Sequence, residues 1–82
     1  MAEPLTIIGI MVDRRAEHAP EVQEVITRHG EDIVCRMGVP SPSKEEGLIT
    51  VVYKGDSSGA EHFYNQLEDI SGVDVRMVRF SG

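Results

Sequence analysis

Apolar residues along this chain switch repeatedly between runs, helical spacing and alternation. Leu5-Thr6-Ile7-Ile8-Gly9-Ile10-Met11-Val12 is almost continuously apolar, as in a central strand covered on both faces, and Leu5–Asp13 reads as a first strand. Val22, Val25, Ile26 and His29 then recur on one face at helical spacing. Pro20 fits the first turn of a helix, where its missing N–H costs nothing, so the regular helix is expected over His18–His29. Gly30 follows as a left-handed stop. In Glu31–Val39, Ile33, Cys35, Met37 and Val39 alternate with Asp32, Val34, Arg36 and Gly38, which predicts a strand with the first set facing the helices. Pro40–Glu46 is polar, carries two prolines and reads as an exposed loop. Gly47–Lys54 is again nearly continuous and predicts a second central strand. Ser58 and Glu61 form a Ser-x-x-Glu capping box ahead of Phe63, Leu67 and Ile70, which predicts a helix over Gly59–Ile70 ended by Ser71-Gly72. In Val73–Phe80, Val75 and Met77 alternate with Asp74, Arg76 and Val78 as a closing strand.

The order is βαββαβ, a ferredoxin-like α+β sandwich: a four-stranded antiparallel sheet of order 4-1-3-2 with two helices on one face. The two near-continuous apolar strands fall at its centre, as that order requires. With 82 residues and no repeat or linker, residues 1–82 form one domain with a modest core, and pairing with a second copy would add burial. The face without helices is expected to carry Val34, Arg36, Arg76, Val78 and Phe80, together with one parity of the central strands. A half-apolar open face with two arginines predicts a dimer interface.

The net charge of −6 argues against nucleic acid and anionic membranes as partners. No apolar run approaches the roughly 18 residues of a membrane span, and Met1-Ala2-Glu3-Pro4 is not the basic start of a signal peptide. A single cysteine, Cys35, forbids an intrachain disulfide and suits the cytoplasm.

Chemistry narrows by subtraction. One cysteine is too few for an iron–sulfur cluster or a two-thiolate metal carrier. The central strands offer only Tyr53 for base stacking. Asp13-Arg14-Arg15 brings charge without the glycines of a phosphate nest. Cys35, His18, His29 and His62 match no compact ligand spacing. Cys35 reads as a small buried hydrophobe, while His18 and His62 read as solvent-facing residues of first helical turns. A metal site built from Cys35, His29 and His62 across a dimer is the alternative. No Ser/His/Asp or Cys/His arrangement is legible, so no enzyme is expected and no cofactor is implied. The most charged corner, Asp13, Arg14 and Arg15, lies where a strand's end meets a helix start and is the candidate ligand site. Arg36 and Arg76 fall on opposite edge strands about 14 Å apart, so they cannot share one small anion within a monomer. Across a dimer they could meet Asp32 or Asp74 of the other copy. Gly9, in mid-strand, marks a bulge or a close neighbour.

Glu31-Asp32-Ile33 leading into Arg36-x-Gly38-x-Pro40, Ile70-Ser71-Gly72-Val73-x-Val75, and an opening strand ending in Val12-Asp13-Arg14 resemble the iron-only hydrogenase system regulators. That family is similar to ACT-type regulatory domains and to the C-terminal domain of the nickel-responsive repressor. The resemblance implies a βαββαβ fold, homo-oligomers formed through sheets, and a sensing or regulatory role in anaerobic bacteria, with a small-molecule effector or a protein partner. Two features of those relatives are not carried over. ACT domains that bind amino acids have glycine where this chain has Asp13, Arg14 and Arg15. The nickel site needs histidines on a strand near the cysteine, and none lies near Cys35.

Overall fold

The computed structural model describes residues 4–13, 15–40 and 46–80. Strand β1 (Leu5–Val12) leads into helix α1 (Arg15–Arg28) and a short 3₁₀ turn (Gly30–Asp32). Strands β2 (Ile33–Pro40) and β3 (Gly47–Lys54), helix α2 (Ser57–Glu68) and strand β4 (Val73–Phe80) complete the chain. All neighbouring strands are antiparallel, in the order β2-β3-β1-β4, which is the expected 4-1-3-2 read from the other edge. The βαββαβ ferredoxin-like arrangement therefore stands.

Both helices lie on one face. Val22, Val25 and Ile26 of α1 and Ala60, Phe63 and Leu67 of α2 pack on Ile8, Ile10, Val12, Val51, Tyr53 and Val75. Alternation along β1 decides which residues reach this core: Thr6, Ile8, Ile10 and Val12 are buried, while Leu5, Ile7 and Met11 point the other way. The core is centred on β3, β1 and β4. Among its described side chains, strand β2 adds the half-buried Ile33 alone.

Strand β2 departs from the pattern expected of it. Its pairing with β3 shifts between Ile33 and Cys35, so an extra residue sits in the strand there. Ile33 stands opposite Tyr53, on the helix side, but Cys35 stands opposite Val52, Arg36 opposite Val51 and Met37 opposite Thr50. A one-residue slip turns every later side chain to the other face. Cys35 and Met37 therefore lie on the open face, and Cys35 is exposed rather than buried. Arg36 lies on the helix side, where its Nη2 donates to Gln23 Oε1 of α1 at 2.5 Å. Arg36 and Arg76 are on opposite faces as well as opposite edges. Val34, at the bulge, is exposed, and the side chain of Val39 is outside the described residues.

Other boundaries shift for local reasons. Helix α1 starts at Arg15, so Pro20 lies inside it. The ring removes one i→i−4 bond, and the packing of Val22, Val25 and Ile26 holds the helix together past that gap. Gly30 opens the 3₁₀ turn and is not left-handed; among the described glycines only Gly55 and Gly72 have positive φ. Helix α2 starts at Ser57 with Asp56 as its cap, the Asp56 carboxylate accepting from Gly59 N–H at 2.8 Å. The Ser58–Glu61 box does not form the cap; Glu61 instead faces Arg79, 3.5 Å away. Gly9 marks no bulge, because β1 keeps an unbroken register on both sides. Among 41–45 of the expected Pro40–Glu46 loop, the residues lie outside those described.

Candidate functional site

The open face of the sheet is the largest feature that the core does not explain. Its side chains form rows across the strands. Cys35, Val52, Ile7 and Val78 make one row, and Met37, Thr50, Gly9 and Arg76 the next. Leu48, Met11 and Asp74 lie beyond, and Lys54, Leu5 and Phe80 form the row at the far end. Met37, Val78 and Phe80 are 57%, 57% and 54% exposed, and Leu5, Ile7 and Met11 are more than a third exposed. These exposed apolar residues adjoin one another across the strands rather than being scattered singly. A Cβ on Gly9 would meet nothing within 4 Å, so the centre of the patch is a dent. Charge sits at the β4 edge, where Arg76 pairs with Asp74.

Of the five residues expected on this face, Arg76, Val78 and Phe80 are there. Arg36 is not, and Val34 sits at the bulge. Leu5, Ile7 and Met11 are the parity of the central strand β1 that lies on this face, whereas Met37 was expected on the helix side and belongs here instead. The unbroken apolar run of β1 carries that expectation, because an apolar second parity must face the side without helices.

The histidines divide. His29, at the end of α1, packs on Phe63 with ring centroids 4.8 Å apart and lies 5.8 Å from the His62 ring. Its Nε2 is 2.6 Å from Gln66 Oε1. Tyr53 stacks on Phe63 at 5.6 Å. Burial holds the Tyr53 phenol above its usual pKa, helped by the Asp32 and Asp56 charges and by a hydrogen bond to Asp32. This cluster joins α1, α2 and β3 on the helix side, whereas Cys35 stands on the other face of the sheet. His29 and His62 thus come together without Cys35, and among the described residues no three His, Cys, Asp or Glu side chains are grouped to hold a metal ion. His18 is not a solvent-facing residue: it is largely buried against Gly72, and its Nδ1 is enclosed without a partner.

At the Asp13 corner, the Asp13 N–H donates to the Gly72 carbonyl at 2.8 Å, tying the end of β1 to the turn before β4. The hollow beside it, about 450 Å³, is bordered by Asp13, Glu46 and Asp74. These are carboxylates, opposite in sign to an anion cradle. Arg14 and the side chain of Arg15 lie outside the described residues. No helix among the described residues is long and apolar enough to cross a membrane.

Similarity to known proteins agrees with this geometry. The uncharacterized protein TM1266 from Thermotoga maritima superimposes with a TM-score of 0.87 at 30% identity, covering 96% of this chain and 100% of that one. A conserved protein of unknown function from Bacteroides thetaiotaomicron matches at 7% identity with a TM-score of 0.62, over 98% of this chain and all of its own. A formyltetrahydrofolate deformylase from Pseudomonas putida matches at 10% identity with a TM-score of 0.60, over 90% of this chain but 28% of its own. These last two share the fold alone. No curated protein matches the chain. The profile of the TM1266-like family matches residues 4–77, and this chain belongs to that family, described as iron-only hydrogenase system regulators.

Proposed function

We propose that this chain is a non-catalytic, ACT-like regulatory domain of the cytoplasm that works as a homo-oligomer, sensing a small ligand or contacting a protein partner. The observation that carries the reading is the apolar open face of the sheet. Four strands of eight residues span a flat area on the order of 500 Å². Two such faces together reach the ~1,000 Å² that a specific interface needs. Leu5, Ile7, Met11, Met37, Val78 and Phe80 would form its apolar centre, with the Gly9 dent receiving a side chain of the second copy. Arg76 and Asp74 would form the charged rim. The family description as regulators supports the non-catalytic role.

The test is light scattering at micromolar concentration on the wild type and on Ile7→Lys and Val78→Glu. The wild type is expected as a dimer or higher oligomer, and each variant as a folded monomer by circular dichroism. A strictly monomeric wild type would remove the assembly part of the reading. A metal sensor is the second reading, favoured by the His29–His62 contact. In it, Cys35 would join histidines of another copy, and unchanged metal binding in Cys35→Ser would eliminate that thiolate version.

A further inference from the structure

The bulge in β2 leaves a groove on the helix side of the sheet. Because the helices sit over β3, β1 and β4, the edge strand past Ile33 is not covered, and a space of about 330 Å³ opens between it and the end of α1. That volume is at the lower end of the roughly 300–1,000 Å³ typical of small-molecule sites. Its lining is mostly apolar, with Ile26, Ile33 and Val34 among the wall residues, and Arg36 closes one side. Thr27 also borders the space, but its hydroxyl is committed to the Gln23 carbonyl at 2.8 Å.

Arg36 is unusual in this acidic chain. Arg28 pairs with Glu24, Arg76 with Asp74 and Arg79 with Glu61. Arg36 instead bonds the neutral amide of Gln23, and among the described residues no carboxylate lies within ion-pair distance of it. A guanidinium carries five N–H donors in a planar fork. The bond to Gln23 uses one and holds the group beside the groove, and among the described residues the others have no carboxylate partner. The fork matches a carboxylate in two parallel bonds. A single cation above an apolar wall lacks the several donors that a phosphate requires.

We infer that this groove binds a small aliphatic carboxylate, with its head on Arg36 and its tail against Ile26, Ile33 and Val34. The inference rests on the ligand-sensing part of the reading above and is independent of assembly through the open face. It also explains the bulge, since without the extra residue Arg36 would lie on the other side of the sheet.

The experiment is a titration of the isotopically labelled full chain with straight-chain acids from acetate to hexanoate, with hexanamide as the uncharged control, followed by amide chemical shifts. Saturable shifts are expected at the end of α1 and around the β2 bulge. Affinity should rise about fourfold per added methylene until the groove is filled. Hexanamide should bind at least about tenfold more weakly, in line with losing a charge-assisted bond. Arg36→Gln should abolish the saturable shifts, and Arg36→Lys, which keeps the charge and loses the fork, should fall between. Both variants alter an exposed side chain, so the fold should survive. The inference is overturned if hexanoate gives no saturable shifts, or if Arg36→Gln or hexanamide reproduces them. Light scattering on the same samples separates the two readings: a monomer that binds hexanoate removes assembly alone, and an oligomer that does not bind it removes this site alone.

Discussion

The two faces of β1 are written in the same residues and have different fates. Ile8 and Ile10 are fully buried under the helices, whereas Ile7 and Leu5, their immediate neighbours, remain more than a third exposed. Burying one such side chain is worth about 1.5–3 kcal/mol. The chain realises that gain on one face and leaves it unrealised on the other. A strand intended for a solvent-facing sheet alternates apolar with polar. This one does not, and its second parity stays apolar and exposed, which is the feature the proposed assembly would use.

Truncation on the covered side should have the largest effect. Phe63 is fully buried, stacks on Tyr53 and packs against the tilted ring of His29. Phe63→Ala should cost about 3–5 kcal/mol. At roughly 4–8 °C per kcal/mol for a small domain, that is a loss of well over 10 °C in Tm by calorimetry. Ile7→Lys, on the other side of the same sheet, should change the stability of the monomer by no more than about 0.5 kcal/mol. An equal loss from the two substitutions in a monomeric sample would break the comparison.

How much of this comparison the sequence displays differs from strand to strand. In β1, β3 and β4, the pairing runs without interruption, so simple alternation places Ile10, Val51 and Val75 on the covered side and Val78 and Phe80 on the open one. In β2 the same rule fails after Ile33. Val34, Cys35, Arg36 and Met37 contain no glycine or proline to announce an extra residue, and the bulge shows only in the pairing with β3. That single feature misplaced Cys35 and Arg36 and concealed the groove. Helix α2 was legible as a helix, but its cap is Asp56 and not the expected Ser58. Asp56 prevails because its carboxylate reaches the Gly59 N–H, while Glu61 is drawn to Arg79. His18 was misread because the turn that buries it, at Gly72, is far away in sequence.

Two glycines carry the comparison to smaller effects. Gly72 has φ +78, and a Cβ there would lie 2.8 Å from the His18 ring. Gly72→Ala should therefore cost about 2 kcal/mol or more, in the range of a non-glycine residue held in the left-handed region. Gly9, on the open face, has free space above it. Gly9→Val should leave the urea midpoint of a monomer unchanged or slightly raised, since valine suits a strand better than glycine does. The same change should weaken the oligomer by filling the dent, and a tighter oligomer would show that the second copy does not use it. Next in size is Asp56→Ala, which removes the cap of α2 and should cost about 1 kcal/mol by urea denaturation. Asp56→Ser should restore most of it. An alanine variant as stable as the wild type would mean that Ser57 or Ser58 takes over the cap.

The smallest effect is a titration on the covered face. Burial first, then the Asp32 and Asp56 charges and the hydrogen bond to Asp32, raise the Tyr53 phenol above its ordinary value of 10.0. The sign follows from proton counting. Between the unfolded value and the raised folded one, the native chain keeps a proton that the unfolded chain has lost, so stability falls as pH rises through that window. Below the unfolded value both states are protonated and the contribution is fully present. Tyr64 shifts the same way, chiefly through its hydrogen bond to Glu68, but it stands at the surface and should matter less. Urea midpoints measured from about pH 8 to about pH 11 should therefore decline, and the decline should be shallower in Tyr53→Phe than in Tyr64→Phe. Equal slopes in wild type and Tyr53→Phe would show that the phenol is no more enclosed than a surface tyrosine. The cluster of Tyr53, Phe63 and His29 would then be a looser cover than the helices provide over Ile8 and Ile10.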